Sequence, residues 1–193
     1  MACSKEAENY FAQSLISHCG VSKLITPALL CALRDEYRMD WNGIHGFSHW
    51  CRVWENGLYL AEKNHANRKV LEYFAFFHDN QRHNDGYDPN HGRRASDLIR
   101  QKFADRLDLT PEEIDLLCEA CTGHNHGGTK ANITVATCWD SDRLDLMRVG
   151  IMPKKRYLCT PQAREDETID WAVGRSQVWA ESRWRNGDEK AES

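Results

Sequence analysis

The sequence predicts an all-α fold, and three observations carry the expectation. Apolar residues recur at three- and four-residue spacing along most of the 193-residue chain. Helix starts stand out at Thr26-Pro27, Thr110-Pro111-Glu112-Glu113 and Thr160-Pro161, each pairing an N-cap hydroxyl with a proline suited to the first turn. No run alternates convincingly as a strand, and neither an internal repeat nor a low-complexity tract breaks the pattern.

Residues 4–18 are weakly amphipathic through Tyr10, Phe11, Leu15 and Ile16, so packing is their expected role. Thr26-Pro27 leads into the stripe Leu29, Leu30, Leu33 and Tyr37, and a loop follows over 40–46. A longer helix from Phe47 carries Trp50, Val53, Trp54, Leu58 and Ala61, with His49 and Arg52 on it. The next helix spans 67–78. Gly86 and Pro89 exclude regular structure from the polar loop 80–90, after which His91 opens a helix over 93–103. The Thr110 signal includes the capping-box partner Glu113 and starts a helix with Ile114, Leu117, Cys118 and Cys121. That helix ends near the glycine-rich turn 123–128, which holds His124 and His126. Residues 133–147 read as a helix bearing Asp140, Asp142, Arg143 and Asp145. A basic stretch over 153–159 precedes the Thr160 start, an amphipathic tail over 165–185 and a frayed end over 186–193. One structural domain is expected: N-terminal helices (1–40) packing on a core (41–160), and a C-terminal helix with its tail (161–193).

Lys plus Arg number 25 against 29 for Asp plus Glu, and the net charge of -4 leaves no footprint for a nucleic-acid polymer. A small phosphorylated substrate would need only a local basic pocket. Residues 1–20 lack the apolar run of a signal peptide, and no later run approaches the roughly 20 apolar residues of a membrane span. A cytoplasmic location without a membrane partner is expected. Of the eight cysteines, Cys31, Cys51, Cys118 and Cys138 fall inside helical patterns as small apolar residues, so reduced thiols are expected.

The most pointed stretch runs from Leu71 to Asp79, an apolar helical run that ends in adjacent ligand-type side chains, His78 and Asp79. A helix this apolar is buried on most sides, and burying an imidazole and a carboxylate without partners costs several kcal/mol. A metal ion offsets that cost by taking imidazole nitrogen and carboxylate oxygen together. The plain alternative is a helix end at which His78 caps carbonyls and Asp79 begins a polar turn. Metal sites in helical proteins draw one His or Asp from each of several helices, and His49, His78 with Asp79, and Asp142 have that distribution.

Together, His49-Trp50-Cys51-Arg52-Val53, His78-Asp79 and Asp140-Ser141-Asp142-Arg143-Leu144-Asp145 resemble the signature of HD-domain metal-dependent phosphohydrolases over residues 41–160. The resemblance implies a helical fold in which His49, His78, Asp79 and Asp142 hold one divalent ion, Mn, Fe, Co, Ni or Zn, with Mg also admissible. Asp142 fits the motif better than Asp140, and Asp145 is expected in an ion pair. The implied activity is hydrolysis of a small phosphoester, a nucleotide foremost, by metal-activated water.

Arg82 lies within a turn of the dipeptide and suits bidentate phosphate recognition, unless it pairs with Asp85 or Asp88. His91, at a helix start, suits phosphate binding or general-acid catalysis, or else a plain cap. His124 and Arg143 are expected substrate contacts. His91 and His124 also stand in the order used by dinuclear HD proteins, so a second metal is an open alternative, and with it the chemistry of HD-superfamily diiron oxygenases. His45 is expected at the loop mouth, His83, His18 and His65 in solvent, and Lys154, Lys155 and Arg156 as a solvated run. Cys118 and Cys121 are expected to pack in the core. Trp50 and Trp139 belong to the core or to a base-binding wall.

Overall fold

The computed structural model describes residues 22–191, with side chains through residue 182, together with Lys5 and Gln13. The expected packing segment 4–18, including His18, otherwise lies outside the described residues. Seven α-helices and no strand occur among the described residues. They are α1 (Pro27–Glu36), α2 (Phe47–Asn64), α3 (Arg68–Phe77), α4 (His91–Leu98), α5 (Pro111–Gly123), α6 (Ile133–Arg143) and α7 (Asp166–Ala191). None is long and apolar enough to cross a membrane.

Local chemistry sets most helix starts. The Thr26 hydroxyl accepts from the Leu29 amide, and Asn67 Oδ1 accepts from Lys69 and Val70. Thr110 and Glu113 form a reciprocal capping box. α3 is the central element: Leu71, Phe74, Ala75, Phe76 and Phe77 are all buried. It packs against α2, α5 and α6, while α4 lies against α5. Such a helix has no solvent face along most of its length, so its C-terminal residues enter the interior whatever their polarity.

Two close backbone approaches shape the site. A Cβ on Gly46 would come 2.1 Å from the Trp41 carbonyl, and the absence of one lets the Phe47 amide bond that carbonyl at 2.8 Å and start α2. A Cβ on Gly92 would lie 2.1 Å from the Cys121 carbonyl, so glycine there lets the start of α4 meet the end of α5.

Several expectations are corrected. The helix from Ile133 stops at Arg143 instead of 147, because the Leu144 amide bonds carbonyls of both Asp140 and Asp142 and the next turn carries Asp145 inward. Thr160 starts only a short turn, with its hydroxyl engaged by Asp140, and α7 begins at Asp166. The backbone of α7 is helical through Ala191, past the expected end at 185. Cys31 and Cys51 are disulfide-bonded, whereas Cys118, Cys121, Cys138 and Cys159 are free thiols. Helical spacing reports that a cysteine is buried, not whether another sulfur faces it.

Trp50 is wholly buried, edge-on to Tyr37, Trp41 and Phe76, and so belongs to the core. Phe77 packs edge-on against Phe103 at 5.1 Å. Replacing Phe77 with Ala should cost about 3 to 5 kcal/mol in urea denaturation, against about 1 kcal/mol for Thr110→Ala, which removes only a cap. Equal losses would show that α3 is not the stabilising centre.

Candidate metal centre

Four histidines and two aspartates converge from five segments. α2 supplies His49, the turn after α3 supplies His78 and Asp79, and α6 supplies Asp142. The first residue of α4 supplies His91, and the turn closing α5 supplies His124. His49, His78, Asp79, His91 and His124 are buried, and the Asp142 side chain is 16% exposed.

The atoms fall into two groups that share Asp79. In the first, His49 Nε2 lies 3.1 Å from His78 Nε2 and 3.6 Å from Asp79 Oδ2. Asp142 Oδ1 stands 3.4 Å from His49 Nε2 and 3.8 Å from His78 Nε2. In the second, Asp79 Oδ1 lies 3.1 Å from His91 Nε2 and 3.5 Å from His124 Nε2, with the two imidazole nitrogens 2.8 Å apart. Either group, His49 with His78 and Asp79 or Asp79 with His91 and His124, could hold a metal ion.

The outward nitrogens define the tautomers. His78 Nδ1 faces the carbonyls of Phe74 and Ala75 at 3.2 and 3.1 Å, His91 Nδ1 that of Asp88 at 2.5 Å, and His124 Nδ1 that of Cys121 at 2.7 Å. A carbonyl only accepts, so each Nδ1 carries a proton, and the neutral His78 ring turns an Nε2 lone pair inward. His49 Nδ1 likewise donates to Asp145 Oδ2 at 2.7 Å. His49 Nε2 and His78 Nε2 are therefore acceptors that face both Asp79 Oδ2 and Asp142 Oδ1. Lone pairs this close repel unless a cation lies among them. Buried nitrogen and oxygen donors arranged in this way could hold a metal ion.

Electrostatics agree. Burial lowers His49 to about 4, aided by the Arg148 charge, and lowers His78 to about 3, so both rings are neutral near pH 7. Burial pushes the Asp79 carboxyl up, but its electrostatic interaction with the adjoining His78 ring and hydrogen bonds from His124, His45 and His91 outweigh it and hold the group well below the usual carboxylate range. Burial lowers His124 too, yet its hydrogen bond to Asp79 wins and raises it.

The remaining candidates are distributed as follows. Arg82 is not paired with Asp85 or Asp88: its Nε and Nη2 donate to the Asn84 and Gly86 carbonyls, and Asp88 pairs with Arg94. Its Nη1 reaches 3.3 Å from His91 Nε2 and 3.6 Å from Asp79 Oδ1. Arg143 is turned the other way, donating to the Tyr157 carbonyl and Cys159 Sγ. Asp140 accepts from the Cys159 and Thr160 amides and ties the 158–160 strand of chain to α6. His65, His83, Lys154, Lys155 and Arg156 are exposed, and Trp139 is buried with its indole N–H on the Ala120 carbonyl.

Sequence reasoning underrated two residues. His45 Nδ1 lies 2.9 Å from Asp79 Oδ2, and its i, i+4 relation to His49 was the available signal. Asp145 is an ion-pair partner, with Arg52 Nε at 2.7 Å, but it also holds His49. No protein-family model, curated protein or solved structure matches the chain. Fold and site together define an all-helical protein with a His/Asp cluster that could hold a metal, an arrangement compatible with the HD type.

Because His49 and His78 are depressed in the fold, the unfolded chain takes up protons that the native protein refuses once pH drops below the ordinary imidazole value of about 6.5. Their contribution to stability is full above that value and is lost as pH falls toward about 4 and about 3. Metal-free protein should therefore lose stability steadily from pH 6.5 to 4, and His78→Gln should flatten the slope, as measured by urea denaturation at each pH.

Proposed function

We propose that the protein is a metal-dependent hydrolase of a small phosphoester, with a nucleotide as the leading substrate class, using two divalent ions that share Asp79. The single observation behind this reading is the inward convergence of four Nε2 atoms on the two oxygens of one buried aspartate. His49, His78, Asp79 and Asp142 would hold the first ion, and Asp79, His91 and His124 the second. This reading makes His91 and His124 ligands in preference to a general acid and a substrate contact. When bound, divalent ions at such a site polarise a phosphoryl oxygen and lower the pKa of water.

The protein's own side chains supply recognition and proton handling. Arg82 is held by two loop carbonyls with its Nη1 against His91 Nε2, so that once His91 serves as a ligand Nη1 would meet a phosphoryl oxygen without rotamer search. His45 sits against Asp79 at 8% exposure, and with its Nδ1–H on the carboxylate its Nε2 lone pair is the one that can take a proton from an attacking water and then return it to a leaving group. Asp79, ionised and bonded on both oxygens, fixes the separation of the two groups of ligands.

A second reading, a diiron oxygenase on the same scaffold, draws on the nitrogen-rich triad of Asp79, His91 and His124. The deciding experiment measures metal content and phosphate release on a nucleotide panel with Mn, Fe, Co, Ni or Mg. Wild type should bind two ions per chain, His124→Ala one, and Asp79→Ala none. Arg82→Ala should keep both ions yet lose about 2 to 4 kcal/mol of transition-state stabilisation, roughly thirty- to a thousand-fold in rate. If no phosphoester turns over while the reduced iron protein consumes oxygen with an organic substrate, the oxygenase reading prevails.

A further inference from the structure

The four inward-facing histidines are not held alike. His78, His91 and His124 rest their Nδ1–H groups on main-chain carbonyls, whereas His49 rests its own on a side chain, Asp145. Asp145 is fully buried, and both its oxygens are saturated. Oδ1 accepts from Arg52 Nε at 2.7 Å and Ser176 Oγ at 2.5 Å, and Oδ2 accepts from His49 Nδ1 at 2.7 Å and Arg52 Nη2 at 3.0 Å. Arg148 donates through Nη1 to the Asp145 carbonyl at 3.1 Å. A carboxylate bonded this way has no freedom to rotate, so the imidazole it carries is fixed in both tautomer and plane.

Ser176 brings in the C-terminal helix. α7 packs through Ile169, Ala172 and Val173 into a small apolar cluster with Leu60, Leu144 and Leu158, distinct from the main core. One turn further along, it meets α2 through polar groups. Arg175 donates to Asn56 Oδ1 at 2.9 Å and pairs with Glu55, and the Arg52 guanidinium lies 4.5 Å from the Trp179 ring centre. The helix therefore reaches a candidate metal ligand in two hydrogen bonds, Ser176 to Asp145 and Asp145 to His49.

We propose that Asp145 is a positioning residue that holds His49 as the Nδ1–H tautomer with its Nε2 lone pair on the first metal position, and that Ser176 makes this alignment depend on the docking of α7. The inference rests on the reading of His49 as a ligand. Carboxylates that accept from a metal-bound histidine raise its basicity and fix its ring, and their loss costs about 10- to 100-fold in metal affinity. A structural ion pair between Arg52 and Asp145 would need no histidine on its free edge.

The test uses the full chain, as wild type, Asp145→Asn and Ser176→Ala, with two readouts. Long-range proton–nitrogen NMR of metal-free protein reports the His49 tautomer, its signal identified by loss in His49→Gln, and Mn2+ titration reports affinity. Asp145→Asn should populate the Nε2–H tautomer of His49 and bind Mn2+ about 10- to 100-fold more weakly. Ser176→Ala, which leaves the Arg52 pair intact, should keep the helical circular dichroism of wild type yet weaken Mn2+ binding about 3- to 10-fold. An unchanged tautomer and unchanged affinity in Asp145→Asn overturn the proposal. Should that variant fail to fold, unchanged Mn2+ affinity in Ser176→Ala overturns the role of α7. A wild type that binds no Mn2+ overturns the metal reading instead, and the tautomer result, obtained without metal, still decides the positioning claim.

Discussion

A carboxylate in a protein interior is tolerable only if something positive or hydrogen-donating meets each of its oxygens. Asp79 is 2% exposed, and its surroundings are organised to meet that demand. His45 addresses Oδ2 at 2.9 Å, and His91 and Arg82 address Oδ1 at 3.1 and 3.6 Å. α3 creates the problem by driving an apolar rod into the centre of the fold, and at the rod's end His45 and Arg82 supply donors while α2 and α6 bring up an imidazole lone pair and a second carboxylate that a cation would reconcile with Asp79. The helices are thus arranged around the solvation of one group as much as around the aromatic core.

Around that group, tertiary contacts of quite different kinds act together. The approach of α4 to α5 at Gly92 brings His91 and His124 within 2.8 Å. Asn80 donates to the Leu33 carbonyl at 2.9 Å and pins the turn after Asp79 to α1, so the dipeptide cannot slide along its axis. Arg94 bonds the Gln81 carbonyl and Asp88, which closes the 80–90 loop on itself and holds Arg82 against the cluster. A loop with glycine and proline in its middle is in this way as well anchored as a helix end.

Much of this was readable in the sequence, for physical reasons that vary by element. The capping box at Thr110 and the apolar run into His78-Asp79 are local patterns, and both emerge where their chemistry puts them. The positions of Asp142 and Asp140 could be separated by motif alone, and they do face different ways, Asp142 toward the histidines and Asp140 toward the Thr160 segment. What escaped was long-range. Nothing near Asp145 in the chain announces Arg52, 93 residues away, or Ser176. The disulfide bonding of Cys31 and of Cys51 escaped likewise, because helical spacing carries no sign of a facing sulfur.

The main-chain anchoring of His78, His91 and His124 bears on how such a protein can change over time. A carbonyl oxygen survives any side-chain replacement that leaves the backbone in place, so the hydrogen bonds that orient these three rings do not depend on the identity of the side chains at 74, 75, 88 and 121. Three-quarters of the imidazole set is insulated from substitution nearby. Sensitivity is gathered instead at Arg52, Asp145 and Ser176, where exchanging a single side chain removes a partner that the backbone cannot replace. Variation in a lineage of such chains would be expected to be restricted along that one line of side chains by the orientation of His49, in addition to any limit that packing sets.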